Sequence, residues 1–191
     1  MLNYTIFPNS DSDQWITFVH GAGGSSSIWF KQIRDFQKVA NLLLLDLRGH
    51  GESRNFTGSE PYTFPVLADD INQVLVHLKI AKSHFIGISL GTILIRQLAD
   101  KYPEKMESMI LGGAIFRMNA RSQVLMRLGM VCQYVVPYLW LYRFFAYVIM
   151  PRKNHKSARQ LFVNEAKKMN QKEFIKWFRL TAEINPILRK F

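Results

Sequence analysis

The pentapeptide Gly87-Ile88-Ser89-Leu90-Gly91 lies between an apolar run, Ser83–Ile88, and a helical pattern, Leu90–Tyr102. A strand that turns sharply into a helix strains the residue at the turn and leaves no room for side chains two positions to either side. Glycines at 87 and 91 meet that requirement. Such a turn lifts the Ser89 hydroxyl clear of the sheet end, where it could attack a carbonyl carbon. The helix start adds the backbone N–H of Leu90 and a dipole that favours developing negative charge. A glycine-rich turn with an idle serine would show the same five residues, so the pattern needs company.

That company begins with His20-Gly21-Ala22-Gly23-Gly24, directly after the apolar run Trp15–Val19. Acyl transfer needs two donors aimed at the oxyanion of a tetrahedral intermediate, because charge appears there only as the reaction proceeds. A glycine loop at this point can present a second backbone N–H, and Ala22 and Leu90 form the natural pair. A phosphate-binding glycine loop is the competing reading, but the segment lacks both the Lys-Ser/Thr of a P-loop and the spacing Gly-x-Gly-x-x-Gly. A third segment, Asp46-Leu47-Arg48-Gly49-His50-Gly51-Glu52-Ser53, follows the leucine run at 42–45.

In that order, and each after a strand, the three segments resemble the α/β-hydrolase superfamily, especially its small esterase and lipase-like members. The resemblance covers residues 1–115. It implies an acyl-enzyme mechanism in which Ser89 attacks an ester-type carbonyl of a small molecule, with no cofactor and no metal. The family's chain order is Ser, then Asp or Glu, then His, so the resemblance makes His50 part of a structural turn and not the base. Downstream of Ser89 the only histidine is His155, in the basic, polar stretch Pro151–Lys156, which reads as an exposed loop with a solvated histidine. The expectation is therefore a chain that lacks the family's C-terminal strands with their acid and histidine, and that is impaired as a catalyst by itself. A non-catalytic binding module, or other chemistry on the same scaffold such as cofactor-free haloperoxidase or lyase activity, remains open.

The elements that must position these residues follow from the pattern. Leu2–Phe7, Trp15–His20, Asn41–Leu47, Ser83–Ile88 and Glu107–Ile115 read as strands, the third continuous in leucine as expected of a strand covered on both faces. Ile28–Lys38, capped by Ser26 or Ser27, Phe64–Ile80 and Leu90–Tyr102 read as helices. In Phe64–Ile80, Leu67, Ile71, Val74 and Leu78 form one apolar stripe. Strand–helix alternation predicts an α/β fold with a mostly parallel sheet and flanking helices.

The alternation stops near Ala114–Asn119. Residues 116–191 show helix-like runs rich in aromatic and basic residues, such as Val124–Met150 and Ala158–Lys168, and resemble the family's helical cap or lid. Charge divides at the same place. Residues 1–115 carry 10 Lys+Arg and 11 Asp+Glu, a net of −1, whereas residues 116–191 carry 15 and 3, a net of +12. No nucleic-acid signature accompanies this basicity, and solvated helix faces account for it. The uncharged run Leu128–Tyr142 is shorter than the roughly 20 residues that span a bilayer and contains Pro137. A lid is thus preferred to a membrane-surface role. The single Cys132 and the absence of zinc-like spacing suit a reducing, cytoplasmic setting. Finally, a sheet that ends at Glu107–Ile115 would expose an apolar edge, which predicts self-association.

Overall fold

The computed structural model describes residues 1–56, 62–114, 123–124, 127–129, 131, 136–182 and 184. Cys132, and the expected boundary from residue 115 onward, lie outside the described residues. The chain forms two compact units, Met1–Ile115 and Phe116–Phe191.

The described residues of the first unit hold a five-stranded sheet of β1 (Tyr4–Phe7), β2 (Trp15–Val19), β3 (Asn41–Leu45), β4 (Ser83–Ile88) and β5 (Met106–Gly112), in the spatial order β1-β3-β2-β4-β5. β1 runs antiparallel to β3; the other pairs are parallel. Three helices flank the sheet: α1 (Phe30–Phe36), α2 (Phe64–His77) and α3 (Leu90–Lys101). On one face Ile16, Phe18, Leu42 and Leu44 pack with Trp29, Ile33 and Phe36. The alternate residues Val19, Leu43, Leu45 and Phe85 point the other way and are fully buried with Leu67, Ile71 and Leu94 of α2 and α3. The chain leaves β2 toward β3 on one side and returns to β4 on the other. The loops that follow β2 and β4 therefore flank the switch point where ligand crevices form in open α/β sheets.

Several boundaries differ from the sequence expectation, each for a local reason. Strand β3 ends at Leu45; the Asp46 N–H still donates to the Asn3 carbonyl at 3.0 Å, while its carboxylate turns to loop amides. The turn before α1 is capped by Ser25, not by Ser26 or Ser27. Its side chain accepts from the Ser27 N–H at 3.4 Å, and α1 proper begins only at Phe30, after a 3-10 turn over Ser26–Trp29. β5 starts at Met106, one residue early, and a register irregularity at Ser83/His84 passes over Glu107. Met109 and Ile110 lie exposed on this edge strand.

The second unit contains α4 (Tyr138–Ile149), α5 (Lys156–Ala166) and α6 (Gln171–Ala182). The expected run Val124–Met150 is not one helix in its described part: Pro137 starts α4 from an extended backbone at φ −54°, ψ 132°. Tyr142 packs tilted on Phe162 at 4.8 Å and meets Phe174 edge-on at 5.9 Å, and the Tyr138 hydroxyl donates to the Met169 carbonyl at 2.5 Å. These contacts tie the three helices into one aromatic cluster. His155, expected to be solvated, is half-buried, and its Nδ1 is shielded with no hydrogen-bond partner among the described residues. The other residues of Pro151–Lys156 are exposed, as expected of this stretch, and the Arg159 guanidinium donates to the Met150 and Arg152 carbonyls and lies over Tyr147 at 4.6 Å. Among the described residues no helix is long and apolar enough to cross a membrane.

Candidate active site

Ser89 joins β4 to α3 at φ 51°, ψ −121°, and apart from Lys79 it is the sole non-glycine described at positive φ. A β-substituted residue held there stores on the order of 1–3 kcal/mol of strain, which persists only where the surroundings enforce it. Here they do. The Ser89 N–H donates to the Gly112 carbonyl at 3.0 Å, and the Ser89 carbonyl accepts from the Thr92 N–H at 3.0 Å and the Thr92 hydroxyl at 2.6 Å. The flanking glycines are required by contact. A Cβ on Gly91 would lie 2.5 Å from the Val19 carbonyl oxygen and 2.7 Å from that of His20, and one on Gly87 would strike Ile95. The helix thus starts against the end of β2, with Ser89 exposed above it and Leu90 buried. The Leu90 N–H is the first of the helix, one of the donors that a helix leaves without an internal partner.

The loop after β2 closes on this turn. A Cβ on Gly21 would sit 3.1 Å from the Ser89 Cβ and 3.7 Å from the Leu90 nitrogen, which brings Gly21-Ala22-Gly23 beside both. Two buried histidines fix the loop. The Leu47 N–H donates to His20 Nε2 at 3.0 Å, which places the proton of the neutral ring on Nδ1, and Nδ1 donates to the Gly21 carbonyl at 2.7 Å. In the same way the Gly23 N–H donates to His50 Nε2 at 2.8 Å, while His50 Nδ1 donates to the Arg48 carbonyl at 2.7 Å. The amides on both sides of Ala22 are therefore held by imidazoles. Burial, followed by the neighbouring His20 ring 5.0 Å away, holds the His50 pKa well below its ordinary value, partly offset by the Arg48 carbonyl. A neutral ring is what the Gly23 bond requires.

A second tier supports these rings. The Asp46 carboxylate accepts from the Ser26 N–H at 2.7 Å and the Glu52 N–H at 3.0 Å, and its carbonyl accepts from the Ser53 hydroxyl at 2.7 Å. Gly51 at φ +47° has no room for a Cβ against that carboxylate. Arg48, 1% exposed, grips Asp70 of α2 through two bonds, Nε to Oδ2 and a terminal nitrogen to Oδ1 at 2.7 Å, and its guanidinium lies between the rings of Phe56 and Tyr62. Burial raises the Asp70 pKa, and Arg48 opposes that shift.

The structure thus brings Ser89, Leu90 and the loop bearing Ala22 together, and it assigns His50 to the scaffold. It places no titrating base beside Ser89 among the described residues of the first unit. His20 and His50 have both ring nitrogens engaged; His84 lies at the opposite end of β4, bonded to Ser108 and Gln14; His77 packs on Tyr4. Nor is there a group of three or more His, Cys, Asp or Glu that could hold a metal ion, among the described residues. Sequence reasoning missed Asp70. Its signal was a carboxylate on the same stripe as Leu67, Ile71 and Val74, where burial demands a partner.

Comparison with known proteins follows the same segments. The family model of the alpha/beta hydrolase fold matches residues 14–130. The chain belongs to the α/β-hydrolase family. Among curated relatives of this α/β-hydrolase, 3-oxoadipate enol-lactonase 2 of Acinetobacter baylyi is 32% identical over 135 residues, covering 68% of this chain and 49% of the relative. Human Protein ABHD8 is 31% identical over 108 residues, covering 56% and 25%. The chain thus spans about half the length of the first relative and a quarter of the second. Of solved structures, a hydrolase from Oleispira antarctica superposes with a TM-score of 0.81 at 14% identity, covering 94% of this chain and 68% of that one. The enol-lactonase from Burkholderia xenovorans superposes at 0.75 and 21%, covering 94% and 69%. At these identities the superpositions show a common fold.

Proposed function

We propose that this α/β-hydrolase carries the nucleophile and the oxyanion donors of a serine hydrolase acting on small carboxylic esters, in the cytoplasm. The observation that carries the reading is Ser89 itself, exposed at positive φ between β4 and α3, with the Gly21 loop against its Cβ. Its Oγ attacks the ester carbonyl carbon as a base takes the hydroxyl proton, and the carbonyl electron pair moves onto oxygen. The resulting oxyanion receives hydrogen bonds from the Ala22 and Leu90 N–H groups and feels the positive end of α3. Collapse expels the alcohol with a returned proton, and water then releases the acid from the acyl-Ser89. A lactone, an ester closed on itself, falls within this class, and the enol-lactonase relative supports including it.

The base and its orienting acid are the members of the triad that the described residues near Ser89 do not supply. A serine without them is a weak nucleophile, although the oxyanion hole and binding alone can leave about 10³–10⁴-fold catalysis over water. The test is hydrolysis of short-chain nitrophenyl esters and lactones by the full-length protein. Activity that disappears in Ser89→Ala supports the reading. Activity that survives the substitution rejects Ser89, and a correctly folded full-length protein inert toward the whole ester series favours a non-catalytic module on the same scaffold.

A further inference from the structure

Helix α4 presents an exposed face that its own unit does not cover. Trp140, Phe144, Tyr147 and Val148 follow one another at steps of four, three and one, which sets them on one stripe. Their exposure runs from 50% at Val148 to 68% at Trp140. Single exposed apolar residues are ordinary, but a contiguous stripe of this kind marks an interaction surface. The opposite side of α4 is accounted for, since Tyr142 and Ala146 are buried in the aromatic cluster.

Cations rim this stripe. Between α4 and α5 lies a concavity of about 550 Å³, lined by Arg143, Lys156, Arg159 and Lys167 together with Ala146 and Tyr147. None of the four is paired with a carboxylate among the described residues: Arg159 is spent on the Met150 and Arg152 carbonyls, and Lys167 reaches Asn164. The bias is wider than the concavity. Residues 116–164 contain no Asp or Glu and eight Lys+Arg, among them the exposed Arg152 and Lys153 just past the end of α4.

We propose that α4, with the start of α5, docks on an anionic lipid surface, lying in the headgroup plane. At 12 residues α4 is about 18 Å long, far short of the ~30 Å hydrocarbon core, so it lies in the interface and does not cross it. Phe144 and Val148 gain by entering hydrocarbon. Trp140 and Tyr147 pair an apolar body with a polar tip suited to headgroup level, and the cations meet lipid phosphates and carboxylates. Charge complementarity selects this occupant, because the anionic cytoplasmic leaflet attracts such a cluster. Aliphatic Val148 offers nothing to a nucleobase. The inference stands independently of the chemistry at Ser89.

The test is co-sedimentation of the full chain with vesicles of equimolar phosphatidylcholine and phosphatidylserine, against phosphatidylcholine alone, with tryptophan fluorescence read in the presence of brominated phosphatidylcholine. Binding is expected only on the anionic vesicles and weakens with added salt. Arg143→Gln and Lys156→Gln are each expected to lower partitioning about fivefold, and Trp140→Ser with Phe144→Ser by at least about tenfold. Of the other three tryptophans, Trp29 and Trp177 are buried and Trp15 is half-buried in β2 of the first unit, so bromine quenching should fall sharply in Trp140→Phe, a variant that keeps the apolar surface. Equal partitioning onto both vesicle types, unchanged binding after the apolar double substitution, or quenching indifferent to Trp140 overturns the proposal. So does a dimer that Trp140→Ser dissociates without any vesicle binding, which would make the face a contact between copies, or tighter binding to a single-stranded oligonucleotide than to the vesicles.

Discussion

Replacing Arg48 by Met tests the scaffold beneath the oxyanion loop. Arg48 and Asp70 are 1% and 3% exposed and share two hydrogen bonds, so Arg48→Met leaves a carboxylate buried without its counter-charge. Breaking a buried pair from one side costs about 3–5 kcal/mol. A unit the size of Met1–Ile115 has an unfolding entropy of roughly 0.24 kcal/mol/K, so the melting temperature should fall by about 12–20 °C. The pH dependence gives the argument a sign. Asp70 already has a folded pKa above its unfolded value of about 3.9, so ionising it costs stability above the folded pKa, and that cost fades as pH falls toward 3.9. Removing Arg48, the group that opposes the shift, moves the folded pKa higher still. The stability gap between variant and wild type, read by urea titration, should therefore narrow as pH is lowered toward the unfolded value. Arg48→Met with Asp70→Leu, which removes both charges, should recover most of the loss. A gap below about 1 kcal/mol, a gap that does not change with pH, or a double variant as unstable as the single one would refute the reasoning.

Other predictions concern the loop, the elbow and the edge. His50 is held neutral with its pKa well below 6.5, so wild-type stability should decline as pH drops below about 6.5, where the unfolded ring takes a proton and the folded one does not. His50→Gln, whose amide oxygen can still accept from Gly23, should flatten that decline, and identical pH slopes by urea titration would contradict it. Gly91→Ala should cost at least about 2 kcal/mol or abolish folding, since its Cβ would meet two carbonyl oxygens. Gly113→Ala, with nothing within 4 Å but a φ of +59°, should cost only the roughly 1–2 kcal/mol of left-handed backbone; thermal melts that fail to separate the two would count against the packing argument. Among the described residues β5 is an edge strand with Met109 and Ile110 exposed, so the chain should self-associate with concentration and Ile110→Lys should suppress this. Light scattering that shows a wild-type monomer at high concentration would rule that out.

The sheet was legible because its central strand announces itself: Leu42–Leu45 is apolar on both faces, and the structure buries all four side chains. The elbow was legible because two glycines and a serine at fixed spacing have few structural uses. What sequence could not resolve was set by partners distant along the chain. Ser25, Ser26 and Ser27 are equivalent as local caps, and the choice among them is made with Asp46, twenty residues on, binding the Ser26 amide. The pairing of Arg48 with Asp70 needs α2 folded against the loop after β3. The half-buried position of His155 has no signal in the basic, polar stretch around it, whose other residues are exposed. Helix α6 was not singled out, although Phe174, Trp177 and Phe178 carry a helical stripe that the structure buries.

The central claim is that the fold prepares Ser89 as a nucleophile. Its most direct test is to expose the full-length protein to a fluorophosphonate and map the adduct by mass spectrometry of the proteolysed product. A single phosphonylated peptide containing Ser89 is expected, formed rapidly and lost in Ser89→Ala. An adduct on any other residue, or equal labelling after the substitution, would contradict it.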